Sequence, residues 1–481
     1  MNDDLKIELE AILAPFDQTH LLQFWHELTA VERRRLGAQI REIDFDLLRS
    51  LHGSNQTGID WGDLASRAEV PSAITLADCA NRGSYQAAIE IGSEALAAGK
   101  VAMILVAGGQ GSRLGFEHPK GLFPIGPISN RTLYQMHIDQ ILARAKQFRT
   151  TIPLYLMSSP PTHAETTRFL ADHQNFGLAM RDLKIFCQGT MPAIDRQGRL
   201  LLEHKHQIFV SPDGHGGMLA ALAKSGCLAD LQQRGIQHVF YGQVDNPLIQ
   251  ICHPALIGFH IQQQSEMTSQ VIRKTDPLQK VGNVVCVDGQ VRIIEYSDLP
   301  EPQARLRTAD GSLKLWAGSI AVHVFDTDFL IRSHDRSETL PFHRANKCVP
   351  CLDRNGNPVH PSEPNAIKFE KFIFDLLPAA KNSIVAEVDP ADGFCAVKNS
   401  APAQAETPQH VRQAIVNLHT RWLNQAGVTV APNIPVEINP RFAVDAEQLA
   451  TRMIGATTIE QPTYFDVDQI VPVPVAKSIS Q

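Results

Sequence analysis

The chain has 481 residues, 43% hydrophobic and 20% charged, with 31 glycines and 30 prolines, all near the averages of globular proteins. That profile excludes collagen, a coiled-coil rod and wholesale disorder, and the length, at roughly 150 residues per domain, suggests about three units. With 44 Lys and Arg against 51 Asp and Glu, the net charge is −7 and there is no long basic run; this argues against nucleic acid as the main partner and leaves any anionic ligand to a local cluster of cations.

The eight cysteines are scattered, a pattern that suits reduced thiols better than a disulfide framework. The start of the chain, Met1-Asn2-Asp3-Asp4, is acidic where a secretory leader would be basic. Residues 101–107 are among the longest apolar stretches, far short of the ~20 a membrane helix needs. The expectation is a cytoplasmic protein with no membrane partner.

From Leu5 to about Lys100, apolar positions such as Leu21, Phe24, Trp25 and Leu28 recur at three- and four-residue steps and predict helices with one buried face. At Val101 the texture changes: residues 101–107 are continuously apolar and end in glycines, as in a strand buried on both faces. Similar runs follow at 152–157, 239–244 and 281–287, with helical patterns between several of them, such as 131–147. Strands alternating with helices predict an α/β sheet with crossovers. Past Asp389 a helix over 411–425 leads into a Pro- and Val-rich tail, 430–475, expected to be a small β-rich unit. The organisation read from sequence is therefore a helical region over 1–98, an α/β domain over 99–388 and a small C-terminal domain over 389–481.

The strand at Val101 runs into Ala107-Gly-Gly-Gln-Gly-Ser-Arg-Leu-Gly115 and then Pro119-Lys120-Gly121. Glycines let backbone amides approach a ligand closely, and a loop leaving a strand aims those amides at anionic oxygens. The dinucleotide fingerprint fails because Leu114 stands where its third glycine belongs, and no Lys follows a suitable Gly for a Walker loop. What remains, a glycine loop with Arg113 inside it and Lys120 just beyond, suits nucleotidyl transfer. Attack of a phosphate on the α-phosphorus of a nucleoside triphosphate brings two polyanions together while charge builds on pyrophosphate. Arg113 and Lys120 would offset that charge, and an ionised phosphate needs no general base. Asp245 ends the apolar run 239–244 at the carboxyl end of a strand, where open α/β sheets place ligands, and is the choice for a Mg²⁺ or nucleotide contact. His343, Cys348, Cys351 and His360 offer H-x4-C-x2-C-x8-H, but the second Cys pair of a zinc site is missing and they read as loop residues.

From Val101 to Gly427 the chain resembles the UDP-N-acetylglucosamine (UDP-N-acetylhexosamine) pyrophosphorylases, within the wider UDP-sugar pyrophosphorylase family. The resemblance rests on the loop 107–115 with Pro-Lys-Gly at 119–121, Cys-Gln-Gly at 187–189, Ser-Pro-Asp-Gly-His-Gly-Gly at 211–217 and Val-Asp-Asn-Pro-Leu at 244–248. It continues with Val-Gly-Asn-Val-Val-Cys-Val-Asp-Gly at 281–289, Glu-Tyr-Ser at 295–297, Asn-Ala-Ile-Lys-Phe-Glu-Lys-Phe at 365–372 and Val-Lys-Asn at 397–399.

The resemblance implies a Rossmann-like, GT-A-like nucleotidyltransferase domain with a mixed sheet, and UTP and a sugar 1-phosphate as substrates, with Mg²⁺. It implies that Val106, Ala107, Gly108 and Gly109 hold the uridine nucleotide, that Lys120 and Lys368 meet its phosphates, and that Gln188 and Gly214 face the uracil. Gly282, Glu295 and Tyr296 would bind the sugar and Lys398 its phosphate. Lys368 is expected at the start of an amphipathic helix whose apolar face is Phe369, Phe372, Ile373 and Leu376. Two positions near the expected sugar site depart from the N-acetylglucosamine pattern, His215 and Ser319, each where Asn is usual. Gly-His-Gly is closer to the UDP-glucose and broader UDP-sugar enzymes. The Glu-Tyr-Ser motif and the 365–372 segment favour the N-acetylhexosamine branch.

Overall fold

The computed structural model of the protein describes residues 2–53, 60–334, 340–403, 405–453, 458–467 and 469–472. The chain separates into two compact units, one of residues 61–187, 221–335 and 376–481, the other of residues 1–60, 188–220 and 336–375. These are not the three consecutive segments read from sequence. The chain leaves the larger unit after Cys187 and again after residue 335, and both excursions build onto the N-terminal helices, so sequence adjacency does not follow compactness.

The larger unit is organised by a ten-stranded sheet. In chain order its strands are β1 (Ala73–Ile74), β2 (Val101–Val106), β3 (Leu154–Ser158), β4 (Leu183–Cys187) and β5 (His238–Gln243). There follow β6 (Met267–Arg273), β7 (Gly282–Val287), β8 (Gln290–Ile294), β9 (Ala317–Asp326) and β10 (Ser383–Glu387). Their spatial order is β1-β10-β6-β9-β5-β2-β3-β4, with the β7–β8 hairpin attached to β9. Neighbours pair in parallel except within the antiparallel β7–β8 hairpin and at β9, which runs against β5, β6 and β7, so the sheet is mixed as expected. β2 is buried almost throughout, and its Val101, Met103 and Leu105 join Leu133, Ile138 and Ile141 of the helix Leu133–Gln147 in one core. That helix starts on a capping box, with Thr132 and Gln135 exchanging side-chain-to-backbone hydrogen bonds. The helices Arg82–Ala97 and Pro254–Gln262 cross at Gly92 and Gly258. A Cβ on either would lie within 2 Å of the facing backbone, 1.9 Å from Pro254 O or 1.7 Å from Ala88 O, so only glycine permits this approach.

The helix Pro408–Gln425 and a small sheet of Val436–Ile438, Thr463–Asp466 and Gln469–Pro472 also belong to this unit. Val436, Ile438, Leu449 and Phe465 form their core with Leu423.

In the smaller unit Leu9, Leu21, Trp25, Leu36 and Ile40 pack with Ile194, Leu200, Ile208, Ile367 and Phe369. The stretch around Leu21–Leu28 is buried as its spacing predicts, but two short 3-10 turns, Thr19–Leu22 and Trp25–Glu27, replace the expected helix. Three- and four-residue steps fit either geometry; the α-helix itself begins after Thr29, which caps Ala30–Glu42 in a capping box with Glu32. Among the described residues no helix is long and apolar enough to cross a membrane.

Candidate active site

In the larger unit, β2 and β5 lie side by side in parallel, pairing Val106 with Gln243 at their carboxyl ends. The loop that leaves β2 folds back on itself. Ala107 donates its amide to Met157 O at 2.8 Å, Gly111 to His118 O at 2.9 Å and Lys120 to Gly109 O at 3.0 Å. Lys120 is thereby held by the glycine loop itself, and its Nζ stands 3.2 Å from Asp245 Oδ2, with both side chains only 16% and 15% exposed. Arg113 lies exposed in the 3-10 turn Ser112–Leu114 of the same loop. The two cations and the carboxylate picked from sequence thus come from the loops that follow two adjacent parallel strands.

Behind Asp245, His137 donates from Nε2 to Val244 O at 2.9 Å, and burial pulls its pKa down to about 4, so the ring is neutral. Val397 donates its amide to Asp245 O at 2.8 Å, which brings the segment carrying Lys398 against this turn. Lys398 Nζ is 3.2 Å from Glu406 Oε1.

Of the residues expected at the sugar, Gly282, Glu295, Tyr296 and Ser319 lie around the β7–β8 hairpin, whereas His215 belongs to the smaller unit and Lys398 to the segment at the Asp245 turn. Gly282 pairs with Ser319 on β9, and a Cβ at Gly282 would sit 2.7 Å from Ile293 Cγ2 and 3.1 Å from Glu295 Oε1. Glycine here leaves room for the carboxylate of Glu295, just past the end of β8; Tyr296 beside it is 47% exposed. Ser319 sits at an irregularity where the β6–β9 register jumps, and its Oγ accepts from Ala321 N at 3.3 Å. Sequence reasoning passed over Lys274, at the end of β6. It is buried, donates to Asn283 Oδ1, and burial pulls its pKa down to about 8. No local signal marks it: the strand Met-Thr-Ser-Gln-Val-Ile-Arg is half polar and puts Arg273 directly before it, so only the fold shows that Lys274 is buried.

The smaller unit gathers Gln188, Gly214 and His215. Gln188 is buried, and its Nε2 is 3.4 Å from both Asp213 Oδ1 and Gly214 O. Gly214 has φ +84°, and a Cβ there would come within 2.4 Å of Lys371 O, so the turn requires glycine. Asp213, inside the quoted motif but not singled out, holds this group together: its O accepts from Lys371 N at 2.8 Å, and burial pushes its carboxyl up. His215 accepts at Nδ1 from Ile373 N at 3.2 Å and stacks on Phe372, with ring centroids 5.2 Å apart. Burial pulls its pKa down to about 4, so it serves as a neutral acceptor. Lys368 lies on the strand Ala366–Glu370, not at a helix start, and only a 3-10 helix, Ile373–Ala379, follows. The apolar positions 367 and 369 alternate with 368 and 370, and that two-residue period governs. Lys368 Nζ lies 5.0 Å from the Phe209 ring centroid, and burial lowers its pKa. His343, from the spacing weighed for zinc, pairs its Nε2 with Asp375 Oδ2 at 2.9 Å.

A mixed, mostly parallel sheet with a glycine loop, lysine and carboxylate at the carboxyl ends of adjacent strands defines an α/β protein of the nucleotidyltransferase type. The family model described as UTP--glucose-1-phosphate uridylyltransferase (UDPGP) matches residues 54–403, and the chain belongs to this family. It is 33% identical over 494 residues to the human UDP-N-acetylhexosamine pyrophosphorylase-like protein 1, covering 96% of this chain and 97% of that one. It is 37% identical over 369 residues to the UDP-N-acetylglucosamine pyrophosphorylase of Saccharomyces cerevisiae, 75% of this chain and 77% of the other. Among solved structures, the uridine diphosphate N-acetylglucosamine pyrophosphorylase from Trypanosoma brucei, in complex with an inhibitor, superposes with a TM-score of 0.79 at 26% identity, over 95% of this chain and 98% of that one.

Proposed function

We propose that the protein is a uridylyltransferase that joins UTP and N-acetylglucosamine 1-phosphate to give UDP-N-acetylglucosamine and pyrophosphate. The observation that carries the reading is the Lys120–Asp245 pair at 3.2 Å at the mouth of the glycine loop: a cation for a phosphate and a carboxylate for its counter-ion, built by adjacent strands. In this reading the phosphate oxygen of the sugar 1-phosphate attacks the α-phosphorus of UTP in line. The bond from that phosphorus to the bridging oxygen breaks, and pyrophosphate leaves with the electron pair. The attacking phosphate is already ionised, so the chain supplies position and charge and needs no base. Lys120 and Arg113 offset the charge growing on pyrophosphate, and Lys368 meets the UTP phosphates. Gln188 turns its amide to the uracil edge beside Gly214, the amides of 106–109 hold the nucleotide, Glu295 and Tyr296 take the sugar hydroxyls, and Lys398 takes the sugar's phosphate.

Mg²⁺ would be held by Asp245. Among the described residues no three His, Cys, Asp or Glu side chains are grouped to hold a metal, so the fit is to an ion that keeps one protein carboxylate and draws its other ligands from phosphate and water. Bound there, it would neutralise phosphate charge and order the triphosphate.

A second reading, the same transfer to glucose 1-phosphate, is favoured by His215 and Ser319, whose side chains are engaged with the backbone amides of Ile373 and Ala321 where an Asn amide would be expected. The deciding experiment is pyrophosphate release with UTP and Mg²⁺ against N-acetylglucosamine, N-acetylgalactosamine, glucose and galactose 1-phosphates. Preference for the N-acetyl sugars supports the proposal, preference for glucose replaces it with the second reading, and no release with any of the four refutes both.

A further inference from the structure

The residue after Asp245 is one of the most thoroughly engaged polar side chains near the site. Asn246 is 3% exposed, and each hydrogen bond made by its carboxamide goes to backbone. Nδ2 donates to Gly393 O at 2.9 Å, and Oδ1 accepts from Leu248 N at 3.2 Å and from Cys395 N at 3.0 Å. The bond to Leu248 closes the turn that follows Asp245, while the other two reach about 150 residues along the chain and grip Gly393 and Cys395. Val397 adds its amide to Asp245 O at 2.8 Å, so positions 393, 395 and 397 are laid along the Asp245–Asn246 turn. The next residue is Lys398, whose own amide donates to Glu406 O at 2.8 Å. Lys398 therefore ends a segment that the Asn246 carboxamide ties to the Asp245 turn at two points, 393 and 395, and the Val397 amide at a third.

An amide side chain suits this task because it donates and accepts at once, and a buried carboxamide with a fixed O and N orientation sets the spacing between the two backbones it joins. No other residue type of that size presents both a donor to Gly393 O and an acceptor for two amides.

We infer that Asn246 is a positioning residue for the transfer reaction, holding the Lys398 segment at a set distance from Asp245 so that the sugar phosphate arrives in line with the α-phosphorus. The inference rests on the proposed role of Lys398 at the sugar's phosphate. Asn246 touches no reacting group; it acts through Lys398. In-line displacement is sensitive to such spacing, and a misplacement of about 1 Å can cost on the order of 10²-fold in rate.

The test is a double-mutant cycle on the full chain with Asn246→Ala, Lys398→Ala and the pair, measuring kcat and the KM of each substrate, with circular dichroism and thermal melting to score folding. Asn246→Ala is expected to lower kcat/KM for the sugar 1-phosphate about 10²-fold while the KM for UTP moves less than about threefold, and to cost little further once Lys398 is already Ala. Asn246→Asp keeps both acceptor bonds but sets a carboxylate oxygen against Gly393 O, so it should recover only part of the loss. It also takes the place of the alanine variant in the cycle if that variant does not fold. Equal losses from the Asn246 substitution in both backgrounds overturn the inference and leave the role of Lys398 standing. A Lys398→Ala variant with unchanged KM and kcat for the sugar 1-phosphate overturns the role of Lys398, and the inference with it. A lowered melting temperature with unaltered kinetics per folded molecule makes Asn246 a purely structural residue.

Discussion

Replacing Lys120 by alanine separates two energies that the ion pair combines. At 3.2 Å, and with the effective dielectric of about 20 that suits partly buried charges, Lys120 and Asp245 attract by about 5 kcal/mol. Most of that attraction offsets the desolvation of two side chains that are only 16% and 15% exposed, so the pair's net contribution to folding is about 1–2 kcal/mol. In the proposed reaction the same ammonium would face the departing pyrophosphate, where a preorganised contact is worth about 3–4 kcal/mol, or 10²–10³ in kcat. Catalysis should therefore suffer more than stability. Steady-state pyrophosphate release at saturating UTP should fall by about 10²–10³-fold in Lys120→Ala, while calorimetric melting moves only a few degrees. A kcat within about threefold of wild type in a folded Lys120→Ala protein would remove Lys120 from the reaction and refute the reading of this pair.

Other consequences follow from the same geometry. Gly214→Ala places a Cβ within 2.4 Å of Lys371 O on a backbone with φ +84°, and should destabilise the smaller unit by about 1–3 kcal/mol; urea titration with no shift in midpoint would contradict the close approach. Glu437, 2% exposed, accepts from the amides of Ile128 and Ser129, each at 2.7 Å, and from the Ser129 hydroxyl at 2.6 Å. Glu437→Ala should cost about 3 kcal/mol and Glu437→Gln less than half of that, because Gln Oε1 can still accept from both amides while its Nε2 donates to a Ser129 hydroxyl turned to accept; equal losses would show that charge outweighs hydrogen bonding. His137, His260 and His419 are held neutral by burial, with pKa values of about 4, 3 and 3, against an unfolded value near 6.5. Because the folded values are depressed, the unfolded chain binds more protons below pH 6.5. Stability is thus intact above that pH and is lost as pH falls toward 4, at about 1.4 kcal/mol per unit for each ring and about 4 for the three. Denaturant midpoints that stay flat from pH 6.5 to 5 would refute this.

Much of the site was legible before any fold was known, and for local reasons. A continuous apolar run ending in glycines can hardly be anything but a buried strand feeding a loop, and β2 with the turn at Gly109–Gly111 is that element. Asp245 lies two residues past β5 because an apolar run that stops at a carboxylate marks a strand's exit to solvent. Where the local signals conflict, sequence reading failed: the aromatic residues near Lys368 fit a helical face, yet Ile367 and Phe369 share a core with Trp25 and Leu36, and burial on a two-residue period made the segment a strand. Gln188 and Gly214 were legible as motifs, but the role of Asp213 between them was not, since its grip on Lys371 joins residues far apart in the chain.

Residue type and short periods were enough for the four apolar strands at 101–107, 152–157, 239–244 and 281–287, the glycine loop, the identities of the charged groups and the family. The tertiary structure alone decided which of those groups meet. Lys120 and Asp245 are 125 residues apart and come within hydrogen-bonding distance because β2 and β5 are neighbours in the sheet. Asn246 reaches Gly393 and Cys395 because residues 376–481 return to the unit that carries Asp245. Strand order and the return of a distant segment are settled by how all the apolar faces are buried at once, a global balance that no local stretch of sequence encodes.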